Sequence, residues 1–401
     1  MFEPSARLQS LTSYAFAAVN EAVQTLKDQG ITPIDFGVGD PIDATPQFIR
    51  DALKKAVDDY AHAGYPSYIG QKEFRQAVAE YSRLRFQVEL NPETEITSTI
   101  GSKEGVFNFP EAILNPGDVV LIPSPGYPPY KRGTVFAEGT PYFYPLLEEN
   151  NFFPDFNTFP EDILKRAKIL WLCYPNNPTG ALATKEFYER AIEFAQKHNL
   201  IIVSDECYTD IYLTDEVPLS ILEVAPKNLT GTNIITFHSL SKRSNMTGYR
   251  IGWVAGDSEI VSAFKKLKTN IDSGTPDFIQ AAAIAALGEE SHVVTQRKMY
   301  RERAEVLTQA FLDIGLPPAK PQGAFYLWQR VPEGMTSVGF AQKLLSPEIA
   351  MVVTPGAWIS DECIDQNNNV VLNPGEGYVR FALVPSLKET KEAAERLIAN
   401  F

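Results

Sequence analysis

The chain has 401 residues, of which 44% are apolar and 21% charged, and its net charge is −14 at neutral pH. That length exceeds the roughly 250–300 residues at which a single hydrophobic core stops growing, so more than one domain is expected. The acidic balance argues against nucleic acid as a partner, which needs clustered Lys and Arg, and no apolar run approaches the roughly 18 residues of a membrane helix.

In chain order, the start "MFEPSARLQSL" lacks the basic and then apolar regions of a secretory leader. Residues 15–29, "AFAAVNEAVQTLKDQ", carry helical periodicity and stop at Gly30. "PIDFGVGDP" then reads as a short strand running into a glycine turn, and "GYPSYIG" places Tyr65 in a loop. From about 95 to 255, short apolar runs alternate with helical stretches. The strand expectations are 118–122, 140–145, 168–173, 199–204, 233–238 and 250–255, with helices such as 184–198 between them and an alanine-rich core helix at 279–287. Near-continuous apolar strands alternating with helices imply an α/β fold with a mostly parallel central sheet covered by helices on both faces. In such sheets ligands sit beyond the carboxyl ends of the strands. After residue 290 a long polar helix leads to "GAFYLWQRV", "MVVTPGAW" and "GYVRFALV", the pattern of a smaller α+β domain, with 361–377 as a turn-rich loop. The expected division is 1–44 as an N-terminal arm and part of the small domain, 45–289 as the large domain, and 290–401 as the small C-terminal domain.

The residues that carry chemistry fall at the ends of these strands. In "SLSKRSNMTGYRIG", at 239–252, Lys242 follows a strand and is flanked by Ser239, Arg243 and Arg250. A lone lysine is ordinarily a solvated surface group. One desolvated among cations becomes a Schiff-base nucleophile, and the hydroxyl and guanidinium groups beside it suit a phosphate. Asp205, in "VSDECYTD", ends an apolar strand. It is either a helix cap or a carboxylate that holds a ring nitrogen protonated. Tyr208 is either a packing residue or a donor to a phenolate-type oxygen. Asn177, in "YPNNPTG", is held extended by Pro178; its amide is either part of a turn or a donor to a cofactor oxygen. Ser102 and Lys103, in "IGSKEG", open a helix whose free N–H groups favour an anion. Tyr127, in "PSPGYPPY", is placed to stack on a flat ring. Arg380, in the apolar "GYVRFALV", needs a partner, either a structural carboxylate or that of a substrate. Three cysteines (Cys173, Cys207, Cys363) form an odd, sparse set that suits a reducing cytoplasm without a disulfide framework. The four scattered histidines offer no metal-ligand spacing. A Schiff-base lysine, phosphate ligands, a pyridinium partner, a ring stacker and a carboxylate clamp together suit pyridoxal phosphate.

With "NNPTG", "SDECY" and "SLSKRSNMTGYRIG" in order, the sequence resembles, over essentially its whole length, the class I/II aminotransferases, which are fold-type-I pyridoxal phosphate enzymes. The resemblance implies that Lys242 bonds the cofactor and shuttles the proton, and that Asp205 keeps the ring nitrogen protonated. It places Tyr208 and Asn177 at the ring oxygen, Tyr127 on the ring, and Ser102, Lys103, Ser239 and Arg250 at the phosphate. It implies that Tyr65 reaches the phosphate of a partner subunit in a homodimer, that Arg380 clamps the α-carboxylate, and that Gly39 lines the substrate site. The implied reaction is ping-pong transfer between an amino acid and a 2-oxo acid. "SKRSNMTGYR" and "GVFNFP" look similar to the succinyldiaminopimelate aminotransferases, with glutamate and 2-oxoglutarate as the other pair. LL-diaminopimelate, aspartate and alanine specificity stay open, as does a C–S lyase. Lys103, Lys131, Arg132 and Arg243 are the candidates for the distal end of the substrate.

Overall fold

The structure is a computed structural model that describes residues 2–11, 16–364 and 370–401. Ala15, at the start of the helix expected over 15–29, and the middle of the loop expected over 361–377 lie outside the described residues.

In chain order the strands are β1 (Ile34–Asp35), β2 (Ile96–Thr99), β3 (Val119–Ser124), β4 (Thr140–Pro145), β5 (Ala167–Cys173), β6 (Ile201–Asp205), β7 (Ile234–Ser239), β8 (Gly252–Gly256), β9 (Tyr326–Arg330), β10 (Met351–Val352), β11 (Thr354–Pro355), β12 (Cys363–Ile364), β13 (Val370–Leu372) and β14 (Tyr378–Ala382). The central sheet has the spatial order β2-β8-β7-β6-β5-β3-β4. All its neighbours pair in parallel except at β8, which runs antiparallel to both β7 and β2. The six expected strands correspond to β3–β8. The expectation of 250–255 began too early: Arg250 has φ 54°, in the left-handed region, and β8 starts at Gly252. β2 was not foreseen, because "ITST" carries one aliphatic residue; Thr97, Ser98 and Thr99 are nevertheless fully buried.

The helices that matter below are α1 (Ser102–Asn108), α2 (Lys185–His198), α3 (Ser258–Lys268), α4 (Asp277–Leu287), α5 (Ser291–Asp313) and α6 (Leu387–Asn400). Side chains alternate across a strand. Leu170 and Leu172 of β5 therefore join Phe187 and Tyr188 of α2 in one core, while Ile169 and Trp171 join Phe109 and Phe264 in another on the opposite face. Each such fully buried aliphatic side chain contributes about 1.5–3 kcal/mol, which is why these strands read as unbroken apolar runs.

A third core gathers the C-terminal part. Tyr300, Leu307 and Phe311 of α5 and Leu397 of α6 pack against Leu327 and Phe381 of a three-stranded antiparallel sheet, β11-β14-β9. Ile34 and Phe36 belong to this core, and β1 pairs in parallel with β10. The segment after β1 thereby reaches the mouth between the two sheets. Among the described residues, no helix is long and apolar enough to cross a membrane.

Candidate active site

β5, β6 and β7 run in parallel, so their carboxyl ends lie along one edge. Their last residues are Cys173, Asp205 and Ser239. A cavity of about 690 Å³ opens there, and Gly39, Ser102, Lys103, Tyr127, Asn177, Asp205, Tyr208, Ser239, Lys242, Arg250 and Arg380 all line it. Tyr65 does not line it and is 90% exposed on the surface of this single chain.

Lys242 sits on a single helical turn, Leu240–Arg243, directly after β7. Ser239 caps that turn, its Oγ accepting from Ser241 N at 3.1 Å. The Lys242 Nζ donates to the Gly39 carbonyl oxygen at 2.5 Å, across 203 residues of chain. Burial lowers the amine to about 8; Asp40 and Cys207 oppose the shift, and Arg380 and Arg250 reinforce it. An amine near 8 has an appreciable neutral fraction at physiological pH, as a nucleophile and proton carrier requires.

Arg243 does not serve the amine as its place in the sequence suggested. Its guanidinium is buried, donating to Asp210 Oδ2 at 2.8 Å, to the Ala286 carbonyl at 2.8 Å and to Glu290. Asp210 also accepts from Tyr81 Oη at 2.7 Å and from Arg85 Nε at 3.0 Å. Burial pushes the Asp210 carboxyl up, but Arg243 and Arg85 outweigh it, and the group ends below its usual value. Asp210 follows Asp205 and Tyr208 on one turn-rich segment, so this buried cluster ties the lysine's turn to the segment carrying its partners.

Asp205 lies on the cavity floor. Its Oδ2 accepts from Tyr130 Oη at 2.7 Å and its Oδ1 from Cys207 N at 3.2 Å. Tyr130 is held by stacking on Trp171, with centroids 4.5 Å apart. Burial raises the Asp205 carboxyl, and the hydrogen bonds recover part of the shift. Asp205 has no cationic partner among the described residues, so a protonated ring nitrogen would supply the missing counter-charge.

Tyr208 Oη lies 2.8 Å from Tyr326 Oη. Arg380 donates to Asn177 Oδ1 at 3.2 Å, to the Gly37 carbonyl at 2.9 Å and to Thr354 Oγ1 at 3.3 Å, and its guanidinium lies 4.7 Å from the Tyr326 ring centroid. Asn176, not Asn177, shapes the local turn, accepting from Thr179 N and Thr179 Oγ1. Asn177 is free of that turn and lines the cavity, its Oδ1 accepting from Arg380.

Ser102, Ser239, Ser241 and Arg250 also line the cavity, with Ser239 Oγ donating to Ser241 Oγ at 2.9 Å. Gly101 precedes α1 at φ 71°, and a Cβ there would lie 2.1 Å from Arg250 Nη2. Bare backbone, hydroxyls and a guanidinium at close quarters suit a phosphate group. The residues present fit pyridoxal phosphate on three counts: this cup, the desolvated amine and the unpaired buried carboxylate.

Among the cavity residues that the sequence does not single out are Tyr130 and Tyr326. Tyr130 lies three positions after Tyr127 in a stretch that reads as a proline-rich loop, and Tyr326 looks like an ordinary strand aromatic. Their roles depend on contacts 75 and 118 residues away. Of the four basic residues considered for the distal end of the substrate, only Lys103 lines the cavity. Lys131 pairs with Asp361, and Arg243 is committed as described.

Residues 31–397 match the family model "Aminotransferase class I and II". An LL-diaminopimelate aminotransferase of Aquifex aeolicus is 46% identical over 399 residues, covering 99% of each chain. One from Syntrophobacter fumaroxidans is 40% identical over 397 residues, covering 99% of this chain and 98% of its own. Among solved structures, a probable N-succinyldiaminopimelate aminotransferase from Thermus thermophilus aligns with a TM-score of 0.85 at 30% identity, over 96% of this chain and all of its own. On these matches, which span nearly the whole chain, the chain belongs to the class I and II aminotransferases, enzymes that use pyridoxal phosphate.

Proposed function

We propose that this aminotransferase acts on LL-diaminopimelate, passing its amino group to a 2-oxo acid such as 2-oxoglutarate. The observation that carries this reading is the name borne by the relatives at 46% and 40% identity over nearly the whole chain. The N-succinylated substrate expected first from the sequence is the name of a neighbour at 30% identity, and nothing specific to this chain favours it.

Bound pyridoxal phosphate supplies an electron sink that acidifies the substrate's α-carbon. The chain's own residues do the rest. Arg380 takes the α-carboxylate in its guanidinium fork. The Lys242 amine, in its neutral form, would take the proton from the α-carbon as a general base and, as the ammonium, give it back two atoms away, beyond the amino nitrogen. Asp205 holds a proton on the ring nitrogen and is itself kept in place by Tyr130 Oη. Tyr208 and the Asn177 amide donate to the ring oxygen, with Tyr326 behind Tyr208. Tyr127 covers the ring, while Ser102, the Lys103 N–H, Ser239 and Arg250 hold the phosphate. Gly39 lines the substrate site, where the absence of a side chain lets the Tyr326 hydroxyl approach its backbone. The shared core of Ile34 and Phe36 with α5 and α6 supports dividing the chain near 44 and 289 into a large domain and a discontinuous small one. Tyr65, 90% exposed, is assigned to the phosphate of a second copy in a homodimer.

A panel of amino donors, each incubated with 2-oxoglutarate and followed by glutamate formation, tests the substrate. LL-diaminopimelate is expected to be the best donor. Fast turnover of the N-succinyl compound, aspartate or alanine, with LL-diaminopimelate inert, would remove the assignment.

A further inference from the structure

Away from the cavity, one carboxylate joins the edge of the large sheet to the strand that carries Arg380. Glu148 opens a short 3-10 turn, Glu148–Asn150, just after β4. Its Oε2 accepts from Tyr378 Oη at 2.7 Å and from Arg330 Nη2 at 2.5 Å. Tyr378 and Arg330 face each other across β14 and β9, and the guanidinium lies 5.3 Å from the Tyr378 ring centroid. The same ring stacks on Trp328 at 5.1 Å and 8°. Trp328 is in turn the strand partner of Arg380. Tyr378 precedes Arg380 by two residues, so both side chains leave β14 on one face.

An exposed ion pair alone holds little. Here a phenol and a guanidinium converge on one carboxylate oxygen, and stacked rings back the phenol. The two sheets do not pack tightly beside this clasp: a cavity of about 450 Å³ lies there, lined by residues including Leu146, Arg330, Pro374 and Tyr378. A second tie, from Ser124 and Lys131 to Asp361, reaches the segment after β11, while β14 itself is met at Arg380 by Asn177 and at Tyr378 by Glu148. The hydrogen bond from Arg330 lowers the Glu148 carboxyl, so the group is ionised at neutral pH.

We propose that Glu148 is a positioning residue for Arg380, its carboxylate clasping Tyr378 and Arg330 so that β14 aims the guanidinium at the substrate carboxylate. This rests on the reading that Arg380 receives that carboxylate. The test uses the holoenzyme and glutamate as donor, following the bound cofactor's absorbance in single turnovers. Glu148→Gln is expected to raise the half-saturating glutamate concentration about fivefold and to leave the limiting rate within about twofold. Its Tm should stay within about 2 °C, as for a surface change. Tyr378→Phe should reproduce the effect, and the double variant should be no worse than either single one, because both changes open the same clasp. Arg380→Ala, run alongside, separates two failures. If it raises the half-saturating concentration and Glu148→Gln does not, or if the two clasp changes simply add, the positioning role is overturned. If Arg380→Ala itself leaves that concentration unchanged, the carboxylate reading falls and the proposal with it.

Discussion

Burial draws the Lys242 amine down to about 8, and the effect is measurable in cofactor-free protein. Only the neutral amine attacks an electrophile. Labelling of Lys242 by an amine-reactive reagent, read by peptide mass spectrometry, should therefore rise with pH around a midpoint near 8. Solvated lysines follow only near about 10.4. The sign comes from desolvation, which penalises the ammonium form; Asp40 pulls the other way without cancelling it. A midpoint near that of a solvated lysine would mean that the cavity around Nζ is wet in solution. At the same scale, Lys242 Nζ donates to the Gly39 carbonyl, so the loop after β1 and the lysine's turn meet at the cavity.

Among the secondary elements, the turn before α1 gives the proposed phosphate site its sharpest test. Gly101 adopts φ 71°, and a Cβ there would collide with the Arg250 guanidinium. Gly101→Ala strains the backbone and displaces Arg250, a proposed phosphate ligand, together. We expect it to weaken pyridoxal phosphate binding at least about tenfold, measured by equilibrium dialysis, with far-ultraviolet circular dichroism unchanged. Much at this level was legible in the sequence. Buried parallel strands show as apolar runs, and a ligand site at their carboxyl ends follows from topology. Asp205 and Ser239 are the last residues of β6 and β7, and Lys242 follows within one turn. Other features could not be read locally. β2 is buried with three hydroxyl residues in four, because its neighbour β8 and the packing around it bury a polar strand. Arg243 sits next to the reactive lysine in sequence, yet adjacent residues on a helical turn point apart, and it turns to Asp210. Tyr130 and Tyr326 gain their partners only when distant segments meet.

For the whole molecule, the assignment of Tyr65 to a neighbouring active site makes assembly part of function. The purified holoenzyme should sediment at twice the mass of one chain. Dilution that dissociates it should release cofactor, and Tyr65→Phe should weaken cofactor binding with no loss of thermal stability. An active holoenzyme that sediments as a monomer would exclude the shared site. Gly39 carries a further consequence. A Cβ at this position would fall 2.3 Å from Tyr326 Oη, so the width of the mouth is set jointly by a loop near one terminus and a strand near the other. Attempts to re-engineer the enzyme for bulkier amino acids would gain nothing by varying position 39 alone. They would have to shorten Tyr326 first, and would give up the hydroxyl that backs Tyr208 in the exchange.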